Sequence, residues 1–140
     1  FDQQIIIEHI MDCIFCEIAA KTSEAEIIFE NDNYLAFLDI NPLAKGHTLV
    51  IPKLENDYIF NLDNTTLAGL MLFAKKVALA MDKVLDCKRI GIAVLGLEVP
   101  HTHIHLVPLT TVYDIDFSKP KLKFSPEEFS EIAQKIAAEI

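Results

Sequence analysis

Three of the five histidines in this chain lie in one ten-residue stretch, PHTHIHLVPL, at positions 100–109. Its apolar residues, and the alternation of histidine with other residues, predict a β-strand that begins next to a proline. Side chains of a strand point alternately to opposite faces, so His101, His103 and His105 would share one face. The fold must therefore bury the other face of this strand and leave a row of three imidazoles at a site.

This row of imidazoles admits three interpretations. His-x-His on a strand is a common way to present zinc ligands, and three histidines with an open fourth position would form a catalytic zinc site. Imidazoles can also line a phosphate or attack it, because neutral imidazole is a nucleophile at pH 7. The third interpretation is a solvated polar face. The spacing alone does not separate the metal site from the phosphate site.

The rest of the chain predicts an antiparallel sheet packed against one long helix. A turn at residues 31–33 joins two short strands into a hairpin. From Asp63, apolar residues recur every three or four positions, which predicts a long helix capped by Asp63 or Asn64. The fold class is therefore α+β, with short N-terminal and C-terminal helices in addition. The predicted elements are a helix at 13–21, strands at 26–30, 34–39, 47–52, 89–96 and 100–109, and a last helix that opens with a capping box at Ser125, Pro126 and Glu128.

Length and charge limit the kinds of protein that this chain can be. Its 140 residues suit a single domain, predicted at 11–140, with residues 1–10 as a leader or an extension upstream of Met11; a strand at the domain edge is the alternative. The net charge of −9 argues against a nucleic-acid groove. No apolar stretch reaches the roughly 18 residues of a membrane span. Three cysteines are too few for a disulfide scaffold, which predicts a reducing compartment, the cytoplasm.

Three motifs, in order, resemble the histidine triad (HIT) superfamily of nucleotide hydrolases and transferases. HTHIHLV matches the triad His-φ-His-φ-His-φ-φ, where φ is apolar, except for Thr102 at the first φ position. CIFCEI and YLAFLDINPLAKGHTLVIPK resemble the amino-terminal half of the family in order and spacing, and His47 lies 54 residues before His101. The resemblance spans about residues 13–108 and implies the HIT fold for most of the chain.

A covalent mechanism without a metal is what the resemblance implies. In this family the middle histidine is the nucleophile, and that role falls on His103. His105 would contact the phosphoryl oxygens, and His47 would approach the same phosphate from the neighbouring strand. His101 would complete the hydrogen-bonded row and help to orient the nucleophile. No cofactor is expected for the chemistry.

The same resemblance implies a nucleoside pocket. Asp39 corresponds to the carboxylate that binds the ribose hydroxyls, although it could instead cap the turn that follows. Backbone N–H groups around Val99 would add contacts to the phosphate. The apolar walls around a purine base correspond to Ile14, Phe15, Ile18, Phe37 and Ile40, which would look the same as plain core residues without the resemblance.

The stretch before the triad departs from the family pattern. Leu97 stands where glutamine is usual, and Glu98 stands where a hydroxyl residue is usual. A carboxylate there would repel a polyphosphate and could accept hydrogen bonds from a departing amine, which is our hypothesis for Glu98; the alternative is that it points to solvent. The chain also contains no tryptophan, a residue that the tail of the phosphoramidase branch often carries.

Cys13 and Cys16 raise a separate question about zinc. Some family members bind a structural zinc with such a pair, a histidine after the Ile-Pro-Lys run and the first triad histidine, which is His101 here. In this chain Glu55 replaces the histidine after that run, a weaker match than a Cys₂His₂ set. A structural zinc is therefore possible but not favoured, and the alternative is two ordinary small residues. Cys87 has no partner in the sequence and is expected to be inert.

Three functions remain open at this point. The first is hydrolysis at the α-phosphate of a purine nucleotide conjugate of the AMP-amine type, through a nucleotidyl-histidine intermediate, with a dinucleoside polyphosphate as the alternative substrate. The second is nucleotide binding with little turnover, and the third is a zinc protein whose histidines are ligands. The resemblance also implies a homodimer.

Overall fold

The computed structural model describes residues 13–140, which form one five-stranded antiparallel sheet with three helices. The prediction of an extension at residues 1–10 lies outside the described residues. The spatial order of the strands is β1-β2-β3-β5-β4. The strands are β1 (Ile27–Glu30), β2 (Tyr34–Leu38), β3 (Thr48–Pro52), β4 (Arg89–Ala93) and β5 (Ile104–Leu109). This architecture confirms the predicted α+β class.

The helices also follow the sequence prediction. They are α1 (Ile14–Ala19), α2 (Asn64–Val84) and α3 (Pro126–Ala137), with 3-10 turns at Ile59–Asn61 and Val112–Asp114. Asp63 caps α2, because its side chain accepts a hydrogen bond from the Thr66 N–H. Ser125 and Glu128 form the predicted capping box of α3. None of the helices in residues 13–140 combines the length and apolar character needed to cross a bilayer.

Each face of the sheet carries its own core. On one face, Leu70, Val77 and Met81 of α2 pack with α3 against the strands. Met71 also fits the apolar spacing of every three or four positions that predicts this helix, but its side chain is exposed. On the other face, Phe15 and Ile18 of α1 pack against alternate side chains of β2 and β3: Leu35, Phe37, Leu49 and Ile51. Since β2 and β3 are covered on both faces, every residue in them is buried.

The histidine strand is shorter than the sequence predicted. β5 begins at Ile104 rather than at position 100, so His101 and His103 precede the strand and only His105 lies in it. Pairing with β3 stops near Pro52, which has no N–H to donate, and the Thr102 N–H bonds instead to the Asn56 carbonyl. β4 likewise ends at Ala93, before the predicted position 96.

Candidate active site

A cavity of about 390 Å³ opens on the face of the sheet that α1 covers. Its walls come from α1, from β2, β3 and β5, and from loops around residues 95–99 and 117–121. The side chains predicted as site residues all line this cavity except His101. They are Ile14, Phe15, Ile18, Phe37, Asp39, Ile40, His47, Glu98, Val99, His103 and His105.

The apolar walls of the cavity differ in exposure. Phe15, Ile18 and Phe37 are buried and belong to the core beneath α1, so the core and pocket interpretations both describe them. Ile14 and Ile40 are 39% and 70% exposed. These two side chains are poorly explained as core residues, because much of their surface faces the solvent and the cavity.

His103 has the hydrogen bonding that a nucleophile needs. Its Nδ1 lies 2.7 Å from the carbonyl oxygen of His101. Because a carbonyl only accepts hydrogen bonds, Nδ1 carries the proton, and Nε2 of the neutral ring holds a lone pair. The ring packs edge-on against Phe15 and His105, with a centroid distance of 4.9 Å to each.

Two hydrogen bonds in series connect the Leu43 N–H, His47 and His105. The Leu43 N–H donates to Nδ1 of His47 over 3.0 Å, so the proton of His47 lies on Nε2. That Nε2–H donates to Nδ1 of His105, also over 3.0 Å. His105 therefore carries its own proton on Nε2, where it can donate to a ligand in the cavity.

Burial keeps these imidazoles neutral at pH 7. Desolvation, followed by the influence of His105, lowers the pKa of His47 to about 3. Desolvation and, to a smaller extent, the influence of the nearby His103 lower the pKa of His105 to about 4. Desolvation also lowers the pKa of His103, although the hydrogen bond to His101 and the charge of Glu98 oppose it. The site can therefore offer a neutral nucleophile and neutral donors together.

Asp39 and Glu98 bring negative charge to the cavity. Burial raises the pKa of Asp39, while a hydrogen bond from the Asn41 N–H and the charge of Lys121 oppose that shift. Oδ2 of Asp39 lies 3.6 Å from Nε2 of His47. Asp39 does cap the turn at Asn41, so the turn-cap interpretation holds without excluding contact with a ribose. Glu98 is exposed but lines the cavity, near enough for its charge to act on Asp39 and His103.

The ring of His101 faces two sulfur atoms instead of the cavity. Its Nε2–H donates to the Pro52 carbonyl over 2.7 Å, which leaves a lone pair on Nδ1. That Nδ1 lies 3.5 Å from Sγ of Cys13 and 3.2 Å from Sγ of Cys16. Cys13 and Cys16 are joined as a disulfide. The interpretation of the two cysteines as ordinary small residues is therefore wrong. His101 still contacts His103, because the backbone carbonyl of His101 accepts the hydrogen bond from His103.

The three triad histidines do not form a metal cage. Within residues 13–140, no cluster of potential ligand atoms includes all three of them. The ligand atoms of Asp39, His47 and His105 do lie within 4.8 Å of one another, but His47 and His105 already bond to each other there. This arrangement favours the phosphate interpretation of the triad over the zinc interpretation.

Comparison with known proteins identifies the family. A family model described as the HIT domain matches residues 20–112. The chain belongs to the HIT family. It is 36% identical to an uncharacterized HIT-like protein of Borreliella burgdorferi, over 92% of this chain and 99% of that protein. It is 31% identical to an adenosine 5′-monophosphoramidase of Schizosaccharomyces pombe, over 93% of this chain and 99% of the relative.

A solved HIT structure adds a comparison of the fold. The Zn-bound histidine triad family protein of Mycobacterium smegmatis superimposes with a TM-score of 0.77 at 30% identity. The superposition covers 92% of this chain and 93% of that protein. The predicted family is therefore confirmed by sequence and by fold.

The sulfur atoms beside His101 offer a donor set that fits zinc once the disulfide is reduced. A disulfide sulfur has no proton to donate, so the buried Nδ1 lone pair of His101 needs a thiol or a cation beside it. Two thiolates and one imidazole are common zinc ligands. Glu55 lies near enough for its charge to oppose the desolvation that lowers the pKa of His101. Cys13, Cys16, His101 and the nearby Glu55 would hold the ion, whose role would be structural.

Phe117 and Lys121 are among the lining residues that the sequence analysis did not predict. The Phe117 ring lies 4.7 Å from that of His105, and Lys121 lines the cavity beside it. Both follow the segment that matches the HIT domain, which ends at residue 112. They stand in a loop without periodicity or motif, so only the folded position of that loop reveals them.

Proposed function

We propose that this HIT protein hydrolyses purine nucleotide conjugates of the AMP-amine type at the α-phosphate, through a covalent intermediate on His103. The observation that carries the proposal is the hydrogen bond from Nδ1–H of His103 to the His101 carbonyl. It fixes the tautomer in which Nε2 has a lone pair, in a cavity large enough for a nucleotide. The kinship with an adenosine 5′-monophosphoramidase supports the choice of substrate class.

The reaction proceeds in two displacements. Nε2 of His103 attacks the α-phosphorus, a P–N bond to the ring forms, and the bond to the leaving amine breaks. The amine departs with the bonding electron pair and takes up a proton from water. A water molecule then attacks the same phosphorus, and the electron pair of the P–N bond returns to Nε2. One proton of that water stays with the released AMP, and the other neutralises the hydroxide left when the amine was protonated.

The surroundings of His103 stabilise the charge that develops in the first step. Attack makes the imidazole cationic, and a cationic ring strengthens its Nδ1–H bond to the His101 carbonyl. The negative charge of Glu98 acts on the same ring. His105 would donate its Nε2–H to a phosphoryl oxygen, where negative charge accumulates in the transition state.

The remaining contacts of the nucleotide follow from the cavity. Ile14, Phe15 and Phe37 would pack against the base, and Asp39 would accept hydrogen bonds from the ribose hydroxyls. Carboxylates are acceptors for such hydroxyls, and apolar side chains suit an aromatic ring. The base preference for a purine rests on the family resemblance and on the named relative.

A parallel assay of two substrates tests this proposal. Purified protein would be offered an AMP-amine conjugate and diadenosine triphosphate, with and without EDTA, and AMP release would be followed. We expect faster release from the amine conjugate, unaffected by EDTA. Preference for the dinucleotide would instead support a polyphosphate hydrolase, and binding of AMP without turnover would support a regulatory protein.

The nucleophile is tested by the His103→Ala variant. We expect its turnover to fall by a factor on the order of a thousand or more, because no other described nitrogen in the cavity has the same free lone pair. AMP binding, measured by calorimetry, should remain close to that of the wild type. Normal turnover by the variant would contradict the mechanism.

We also propose that the protein is a cytoplasmic homodimer. β4 is an edge strand of the sheet, and it carries the exposed side chain of Ile92. α2 exposes further apolar side chains, among them Leu72 and Leu79. An unpaired strand edge with apolar neighbours is suited to pairing with a second copy. A reducing compartment would keep Cys13 and Cys16 in the thiol form that zinc requires.

A further inference from the structure

The cavity has an unusual balance of charge for a site that would bind a nucleotide. Three carboxylate residues line it, Glu24, Asp39 and Glu98. Its histidines are neutral at pH 7, as described above. Among the described residues that line the cavity, Lys121 is the only lysine or arginine. A phosphate group would therefore enter an acidic cavity with a single cation.

Lys121 is held in place by the backbone of its own loop. Its Nζ donates to the carbonyl oxygen of Phe117 over 2.6 Å and to that of Lys119 over 2.9 Å. An ammonium group has three N–H donors, so one remains for a ligand. The loop is fixed in turn, because the Leu122 N–H donates to the Pro42 carbonyl and the Phe117 ring packs against His105.

The ammonium group of Lys121 acts on the corner of the cavity that holds His47 and Asp39. Its positive charge lowers the pKa of His47 and that of Asp39, although burial is the larger influence on both groups. No carboxylate of residues 13–140 lies within ion-pair distance of its Nζ. The charge of Lys121 thus acts on His47 and Asp39, and on the exposed Asp116 of its own loop, without any described carboxylate at ion-pair distance.

We propose that Lys121 binds an anionic phosphoryl oxygen of the nucleotide and is the residue that makes this acidic cavity selective for phosphorylated nucleosides. The proposal deepens the proposed function, on which it rests for the identity of the ligand. The competing interpretation is that Lys121 only offsets the charge of Asp39. In that case it would support ribose binding and would act equally on nucleosides and nucleotides.

Calorimetric titration with AMP and with adenosine separates these interpretations. We expect Lys121→Met to weaken AMP binding about ten- to a hundredfold, as is typical for the loss of a charged hydrogen bond. Adenosine binding should stay the same, because adenosine has no phosphate. Lys121→Arg should retain most of the AMP affinity, since it keeps the charge. Lys123→Met, a change of the same kind at an exposed position of the same loop, should bind both ligands like the wild type.

The outcomes keep this proposal distinct from the proposed hydrolysis. An unchanged AMP affinity in Lys121→Met, or an equal loss for AMP and adenosine, would overturn the role of Lys121. A wild-type protein that binds AMP but releases none from the amine conjugate would overturn the hydrolysis alone. A wild-type protein that binds neither ligand would overturn both. Thermal unfolding of each variant would show that the fold is retained.

Discussion

The backbone, more than the side chains, decides what each histidine of the cavity can do. A carbonyl fixes the proton of His103 on Nδ1, and an amide N–H fixes that of His47 on Nε2. These partners have no tautomers of their own, so the roles of donor and acceptor cannot be exchanged. The same residue type thus offers a free lone pair at one position and a donor at another.

We expect the identity of residue 98, a glutamate here, to bear most directly on substrate choice. We expect Glu98→Gln to lower the preference for an AMP-amine over a dinucleoside polyphosphate by roughly tenfold, because the change removes a negative charge near the phosphates. The ratio of kcat/KM for the two substrates measures this. Glu127→Gln, an exposed acid on α3 that does not line the cavity, is the matched control. An unchanged ratio in Glu98→Gln would mean that the Glu98 carboxylate points to solvent and does not affect the choice of substrate.

Single residues could be predicted from the sequence only where a motif surrounds them. His47, Asp39, His103 and His105 stand in stretches that resemble a family, and the structure brings them to one cavity. No motif contains Lys121, and its place in the cavity depends on the path of the loop at residues 110–125. The orientation of the His101 ring did not follow from strand alternation, which does not apply to residues that precede the strand. Only the resemblance had raised the possibility that His101 meets Cys13 and Cys16.

At the scale of elements, α1 joins the cavity to the sulfur atoms. Phe15 and Ile18 line the cavity, while Cys13 and Cys16 at the start of the helix face His101. A zinc ion held there would fasten α1 to the segment that carries the triad. The bounds of helices and strands were predictable where a cap or a turn marks them, as at Asp63 and Ser125. The prediction was wrong where pairing with a neighbouring strand decides the end, as in β4 and β5.

Zinc binding gives a direct prediction for α1. We expect protein purified under reducing conditions without a chelator to contain about one zinc ion per chain, because reduction of the Cys13–Cys16 disulfide would leave two thiolates beside the His101 imidazole. Cys13→Ser and Cys16→Ser should each lose most of the metal, measured by mass spectrometry of the elements. Cys87→Ser should retain it, since Cys87 lies outside this cluster. Zinc content that is equal in all four proteins would contradict the assignment.

For the whole molecule, the buried histidines make stability depend on pH. The pKa of His47 is about 3 in the folded chain and about 6.5 in an unfolded one. Below pH 6.5 the unfolded state binds a proton that the folded state does not, so the free energy of unfolding falls as the pH falls towards 3. Each such histidine contributes a slope of up to about 1.4 kcal/mol per pH unit.

The His47→Gln variant tests this linkage. Glutamine can accept from Leu43 and donate to His105 without titrating, so the loss of stability between pH 7 and pH 5 should be smaller in the variant. Urea unfolding at several pH values measures the free energies. Equal slopes in the two proteins would show that His47 does not contribute to the pH dependence.

The oligomeric state is the second property of the whole molecule to be tested. We expect the wild type to sediment as a dimer and Ile92→Arg to sediment as a monomer, because a charge on the β4 edge would be buried in the interface. Leu54→Arg places the same charge at an exposed apolar position outside β4 and should remain a dimer. A monomeric wild type would contradict the proposal.

The hydrogen bonds from Leu43 through His47 to His105 have a consequence for binding in salt. All the N–H groups in this chain of hydrogen bonds point the same way. The chain therefore presents the positive end of a dipole to the cavity, although none of its residues carries a net charge. Mobile ions screen a lysine at the rim of a site far more than they screen a dipole enclosed in protein. We therefore expect two contributions to the binding of one phosphate: that of Lys121, which weakens as the ionic strength rises, and that of the neutral hydrogen-bonded chain, which persists.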